Sequence, residues 1–431
     1  MNMTKDLYRL SFFSLVLVLL APACRVDNAQ TKAKNMQEFR GVLEELATDE
    51  FIAVRLAVCG NPHTSPALLN LFARSSNILI REGVAKNSVT PVDLLATLAG
   101  DGQPFVRMAV AENLNTSCEV LDTLAQDESP NVRAKVAGNV HTSAEVLQQL
   151  ALDKNSVVRT AAAANKNLPI ESLKLLTTDR LNVVASTASS NANLPVAELD
   201  ILAKTDNFSI RNSVALNSST TDTILELLAY DANLLVRSSV AKNSNTAGAL
   251  LGKLSEDDSA FIRASAAGNP NLPEDHFLKL AIDQDVFVRS SIAQNTSCSL
   301  AILESLAEDE DPWLRCSGGS KLEGPLSLLK ILSTDSNLSV REAVANNPNA
   351  CIHVLTAFSD DEIEDVVIKR AIVSNPNVES ALLQKLSTNS APFIRALIAR
   401  NEQCPIEVLE ILAKDSSYLV RAGVASNRFG L

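Results

Sequence analysis

Aromatic side chains are scarce in this chain of 431 residues: they make up 4% of it, with one tryptophan. A single compact core of that size would use more large rings. The hydrophobic share is 46% and runs to Ala, Val and Leu, enough to bury a large core, and of a kind that suits closely packed short helices. Basic excess is also absent. The net charge of −12 argues against a nucleic-acid partner, whose phosphates need a positive face. It leaves a soluble chain with a weak preference for basic partners. No strand-like alternation appears. Neither GxGxxG, a P-loop, HExxH, GxSxG nor CxxC occurs, so the usual signatures of dinucleotide, phosphate, zinc and acyl-transfer chemistry are missing.

No apolar run is long enough to span a membrane. The run Leu10 to Leu20 follows Lys5 and Arg9 and precedes "APAC", Ala21 to Cys24. It has the length of a signal h-region. Residues 1–23 read as an export signal, with cleavage between Ala23 and Cys24. An ordinary signal peptidase would see Ala21 and Ala23. A lipoprotein peptidase would see small residues before a cysteine and acylate Cys24. The stretch resembles a bacterial lipobox, with Pro22 where Ala or Ser is usual. The favoured reading is a lipoprotein held on a membrane surface through two acyl chains on Cys24. Arg25 follows, where an inner-membrane retention signal carries Asp, which favours the outer membrane. Residues 24–36 read as a polar tether.

From there the chain keeps a beat. Arg55, Arg81, Arg107, Arg133 and Arg159 stand 26 residues apart; position 185 is Ala; the beat resumes from Arg211 through Arg237 to Arg341. One step of 28 reaches Lys369, then Arg395 and Arg421 follow. Six residues after each mark lies Asn, as at Asn139, Asn165 and Asn243, with Lys321 the exception. Fifteen marks at one period mean a solenoid.

Each repeat reads as two short helices. The first carries "VR..VA", one apolar face, and opens after Asn, Ser or Asp of N-cap type, with Pro sometimes at the first helical position. It ends at the Asn, which tolerates left-handed geometry and bonds turn backbone. The second carries "L..LA.D", opening at "TP", "LP" or, at Thr116 and Thr142, a Thr-x-x-Glu capping box. An Asp closes it, as Asp127, Asp153 and Asp231. Neither helix is long enough to stand alone. Arg133, Arg159 and Arg237 therefore read as members of a structural ladder with these Asn and Asp residues: Asp and Arg pair within or between layers. The alternative, an arginine track for polyanions, is nearly neutralised by the Asp row.

"VRxxVAxN" followed by "TP..LL..LA.D" resembles the leucine-rich repeat variant family, related to HEAT and armadillo repeats. The resemblance covers roughly residues 37 to 428. It implies an all-α right-handed superhelix of short helices, some of them 3₁₀, over 37–431. The family's founding form has an amino-terminal cysteine cluster holding an iron–sulfur centre. Only Cys24 and Cys59 stand in the first hundred residues here, so no cofactor is carried over.

Metal chemistry finds no place either. His63 and His141 lie three layers apart, as do His276 and His353, too far to share an ion at about 8–10 Å per layer. The cysteines are scattered over different phases and read as small fillers. The beat breaks in "DPWLRCSGGSKLEG", with Trp313, Gly318, Gly319 and Lys321, and in the two-residue insertion around Glu362, Glu364 and Asp365. A glycine inside a helix costs about 1 kcal/mol against Ala, so this layer is expected to be loose or bent. Trp313, Lys321, Glu362, Glu364 and Asp365 are the candidate partner contacts. The expected function is a non-enzymatic, envelope-anchored protein-binding scaffold. The alternatives are a solenoid enzyme such as a bilin-lyase-like protein, and a structural spacer. The chain ends after a first helix, a half repeat open to Phe429 or to another molecule.

Overall fold

A computed structural model of the chain describes residues 37, 39–320, 326–360 and 366–428. The export signal, Cys24 and the tether to 36 lie outside the described residues, as do Lys321, Glu362, Glu364, Asp365 and Phe429. The chain divides into two compact units, residues 1–72 with 380–431, and residues 73–379.

Among the described residues every regular element is helical. First helices such as Ile78–Lys86, Pro104–Glu112 and Pro130–Gly138 have nine residues. Second helices such as Val92–Leu98 and Cys118–Leu124 have seven. Helices this short are unstable in isolation and gain their stability from stacking. The apolar face makes the stack: Val132, Val136 and Ala137 of one first helix and Leu147 and Leu150 of the following second helix are buried. Successive first helices pack directly on one another, whereas second helices touch chiefly the first helices beside them. One second helix opens as a 3₁₀ turn, Glu274–His276. The chain is a repeat α-solenoid.

The local caps follow the sequence in part. Asn77, Asn155 and Asn233 each accept the N–H two residues on, while Ser129 and Ser259 make no side-chain cap bond. The capping residue of the second helix is displaced by one from the expected Thr. Ser117 and Ser143 accept the N–H groups of Val120 and Val146. Thr116 and Thr142 are buried and donate to the Val110 and Val136 carbonyls at 2.6 Å. The threonine thus closes the end of the first helix, where carbonyls lack partners. At Gly318 and Gly319, where a loose or bent layer was expected, the helix runs through. The helix Pro312–Ser320 is regular, and both glycines are buried. A Cβ on Gly319 would stand 3.3 Å from Ala343 Cβ, so the missing side chain admits the next helix, Leu338–Asn346, at close range.

The first unit joins the two ends of the chain. A helix over 39–46 buries Phe39, Val42, Leu43 and Leu46 and is followed by Asp49, which is the second-helix pattern, with no first helix before it among the described residues. Tyr418–Ala425 is a first helix, with no second after it among the described residues. Arg421 Nε donates to Asp49 Oδ2 at 2.7 Å. Phe51 stacks on Tyr418 with ring centroids 5.1 Å apart. Asn61 Nδ2 donates to the carbonyls of Ala425 and Asn427 at 2.8 and 2.6 Å. The half repeats at the two ends are complementary and link as one composite repeat. The expectation that the last helix ends open to Phe429 or another molecule is corrected: residues 49–61 cover it. A terminal layer leaves an apolar face that must be capped, and here each end caps the other.

Candidate functional site

Two features recur in every few layers: a polar ladder at the loops and a row of exposed apolar side chains on the first helices. The ladder is built from the residues upward. Arg133 Nε and Nη2 donate to Asp153 Oδ2 and Oδ1 at 2.6 and 3.0 Å, and Nη1 donates to the Asp127 carbonyl at 2.7 Å. Arg159 repeats this with Asp179 and the Asp153 carbonyl, and Arg237 with Asp257 and the Asp231 carbonyl. Asp127 and Asp231 receive Arg107 and Arg211 in the same way. Each of these arginines therefore pairs with the aspartate twenty residues on, at the end of its own repeat. It also holds the main chain six residues back, at the end of the preceding repeat, an aspartate for Arg133, Arg159 and Arg237 and Thr205 for Arg211. One planar fork ties two layers.

The carboxylates do a second job. Asp127 Oδ1 accepts the Ser129 N–H and Asp153 Oδ1 the Asn155 N–H, each at 2.8 Å. At Asp179 and Asp231 the arginine hydrogen bond, against the opposing effect of burial, holds the carboxyl below its ordinary range. At Asp127 and Asp153 burial pushes upward, and the arginine and backbone hydrogen bonds together outweigh it. The ladder lapses as a pair where Ala185 stands twenty residues before Thr205 and Lys369 twenty before Asn389, and on one side only where Arg55 stands twenty before Ser75.

The asparagines are buried. Asn139 Nδ2 donates to Ala111 and Asn113 carbonyls at 2.8 and 3.3 Å, and its Oδ1 accepts the His141 N–H. Asn165 and Asn243 do the same with Ala137 and Asn139, and with Ala215 and Asn217. Their backbone is extended, φ −74°, −73° and −67° with ψ near 130°, and the left-handed geometry expected from the sequence is corrected. The extended turn aims each side chain back at the preceding layer, where two carbonyls wait.

With its donors and acceptors consumed internally, the ladder has little left for a ligand. The exposed row differs. Two residues before the ladder position, arginine in every case but Ala185, stand Leu79, Phe105, Val157, Val183, Leu235, Phe261, Phe287 and Trp313, all exposed. Trp313 belongs to this row: it is 47% exposed and meets Phe287, itself 62% exposed, edge to face at 5.1 Å. These rings and Phe261 border an open depression of about 620 Å³ whose floor is small, with Ala264, Ser265, Ser290 and Ser291. Lys242 Nζ lies 5.1 Å from the centre of the Phe261 ring. A second depression, of about 410 Å³, lies in the same position around Met108, Ala134 and Val157. Sequence reasoning singled out Trp313 and missed its row.

Nothing reactive gathers elsewhere among the described residues. No group of His, Cys, Asp and Glu there is arranged to hold a metal ion. Burial pushes the Cys59 and Cys404 thiols up to about 12, far from the thiolate a nucleophile requires. Ser255 lies 2.9 Å from His276 Nδ1, yet this serine is buried and gives its proton to the Gly252 carbonyl at 2.7 Å.

No protein-family model and no curated protein matches the chain. Among solved structures, "A leucine-rich repeat variant with a novel repetitive protein structural motif" is similar at 24% identity over 52% of this chain and 88% of that one, with a TM-score of 0.35. An importin beta crystal structure is similar at 11% identity, covering 93% of this chain and 61% of that one, with a TM-score of 0.29. A Kap121p mutant is similar at 11% identity, covering 90% and 53%, with a TM-score of 0.27. The solenoid assignment itself rests on the chain's own helix pairs.

Proposed function

We propose that the chain is a non-enzymatic protein-binding scaffold, held at a bacterial envelope membrane through acylated Cys24, whose docking surface is the exposed row on its first helices. The observation that carries this is the row itself. Phe261, Phe287 and Trp313 occupy the same position in three successive layers and stay exposed, while the polar ladder beside them is internally satisfied. Exposed aromatic side chains gathered over small residues are the usual anchors of protein interfaces. The anchoring rests on the h-region and the Cys24 cleavage site alone.

The test is a gentle-detergent pull-down of the full-length protein from its native envelope, beside Cys24→Ala and Trp313→Ala forms. A protein partner retained by the native chain and lost by Trp313→Ala supports the scaffold and its face. Release of the Cys24→Ala form into the soluble fraction supports the anchor. A Trp313→Ala form that holds the same partner as tightly removes the face from the proposal. Absence of any partner in all three favours a spacer.

A further inference from the structure

The groove of the second unit contains its own example of what its rings bind. Lys242 sits on the last turn of one first helix and places Nζ over Phe261 of the next layer, nineteen residues on. The same step in the following layers runs from Gly268 to Phe287 and from Gln294 to Trp313. Two rings thus keep the position of Phe261 while the lysine is replaced, and among the described residues no cation lies over either ring. Negative charge accompanies each ring. Asp285 and Asp311 cap the helices and accept the Phe287 and Trp313 N–H groups at 2.9 and 2.8 Å, which fixes one carboxylate beside each. The nearby Arg289 and Arg315 are occupied by Asp309 and Asp335.

A cation over an aromatic face, with a carboxylate at its side, is an attractive arrangement that water weakens but does not abolish. We infer that Phe287 and Trp313 receive two cationic side chains from an extended basic segment of a protein partner, in the places that Lys242 fills from within at Phe261. This rests on the proposed scaffold function and names its partner's chemistry. Layers stand about 8–10 Å apart. A polyproline-II segment advances about 3.1 Å per residue with three residues per turn, so lysine or arginine at every third position steps about one layer, and the flexible side chains converge from there on two rings whose centroids lie 5.1 Å apart. The net charge of −12 favours the approach of such a segment.

Trp313 is the chain's only tryptophan, so its emission reports on this groove alone. The probes are three nonapeptides: Lys-Pro-Pro repeated three times, and the same with Glu or with Gln in place of Lys. Titrated into the full chain at low salt, the lysine peptide is expected to give a saturable change in emission, and the other two none. Filling the places from within supplies the variant control. A Cβ on Gly268 meets nothing closer than an oxygen of its own helix at 3.7 Å, and Gln294 is exposed, so Gly268→Lys with Gln294→Lys leaves the fold intact, checked by an unchanged melting curve. That double variant is expected to bind the lysine peptide about ten-fold more weakly, the loss of two exposed cation–π contacts. Equal binding of the Gln and Lys peptides overturns the inference and leaves the groove as a docking face. So does a full response from the double variant. An unresponsive Trp313 in a chain that captures its natural partner through Trp313 overturns the inference alone. Failure of the capture itself overturns the scaffold reading.

Discussion

An internal repeat and the composite repeat make the same contacts with very different chains between them. Arg133 reaches its aspartate across 20 residues, and Arg421 reaches Asp49 across 372, at 2.6 and 2.7 Å. Asn165 and Asn61 each donate to two carbonyls of the layer before. In an unfolded chain, closing the longer loop costs about 2–3 kcal/mol more. The difference teaches that the rung is a self-sufficient connector, indifferent to covalent linkage. The composite rung should form last and open first.

Acid acts on many rungs at once and is expected to have the largest effect. Hydrogen bonds from arginine hold Asp101, Asp179, Asp231, Asp283, Asp335 and Asp415 below their ordinary range, with burial opposing. A depressed carboxyl stabilises the fold fully above its unfolded value, about 4, and the contribution is lost as pH falls through the folded value. Melting temperature should stay level from pH 7 to about 5 and fall steeply below about 4. A chain that melts equally at pH 3 and pH 7 would deny the ladder its role.

Removing one internal rung comes next. Arg133→Ala leaves the half-buried Asp153 without its partner and the Asp127 carbonyl without its donor, and should cost about 3 kcal/mol by denaturation. Adding Asp153→Thr should recover part of the loss, as Ala185 and Thr205 are found together. A double variant no better than the single would mean that the pairing is incidental. Asn139→Ala strands two buried carbonyls and should cost about 2 kcal/mol.

The composite repeat should respond locally. A Cβ on Gly423 would stand 2.6 Å from the Ala396 carbonyl, so Gly423→Ala should push the last helix off its neighbour. Arg421→Ala should break the link to Asp49. In both, hydrogen exchange is expected to rise in residues 39–61 and 418–427 and to stay unchanged around Arg133, a pattern of local opening. Equal exchange changes throughout would make the composite rung part of one cooperative block, and the comparison would fail.

Much of this was legible in the sequence, because a beat that repeats cannot hide. The two helices per repeat, their apolar faces and the Arg, Asn and Asp rows follow from spacing alone. Which aspartate meets which arginine does not, since one lies six residues back and another twenty on, and only the stacking decides. The asparagine's extended turn and the one-residue shift from Thr116 to Ser117 escaped for a related reason: their partners lie across a helix or a layer. The half repeat at Val420, Arg421 and Val424 was read from the sequence, the one at Leu43, Leu46 and Asp49 was missed, and their joining is a contact across nearly the whole chain. The row from Leu79 to Trp313 keeps the same beat as the core, and periodicity does not say which apolar position faces solvent.

The central claim is that the ladder builds the stack and the exposed row does the binding. The most direct measurement takes Arg133→Ala and Trp313→Ala side by side, with melting temperature and partner capture read on each. The account predicts a crossed result: Arg133→Ala melts several degrees lower yet captures the partner when folded, and Trp313→Ala melts like the native chain yet captures nothing. A ladder variant that melts normally but loses the partner, or a Trp313 variant that keeps it, would contradict the claim.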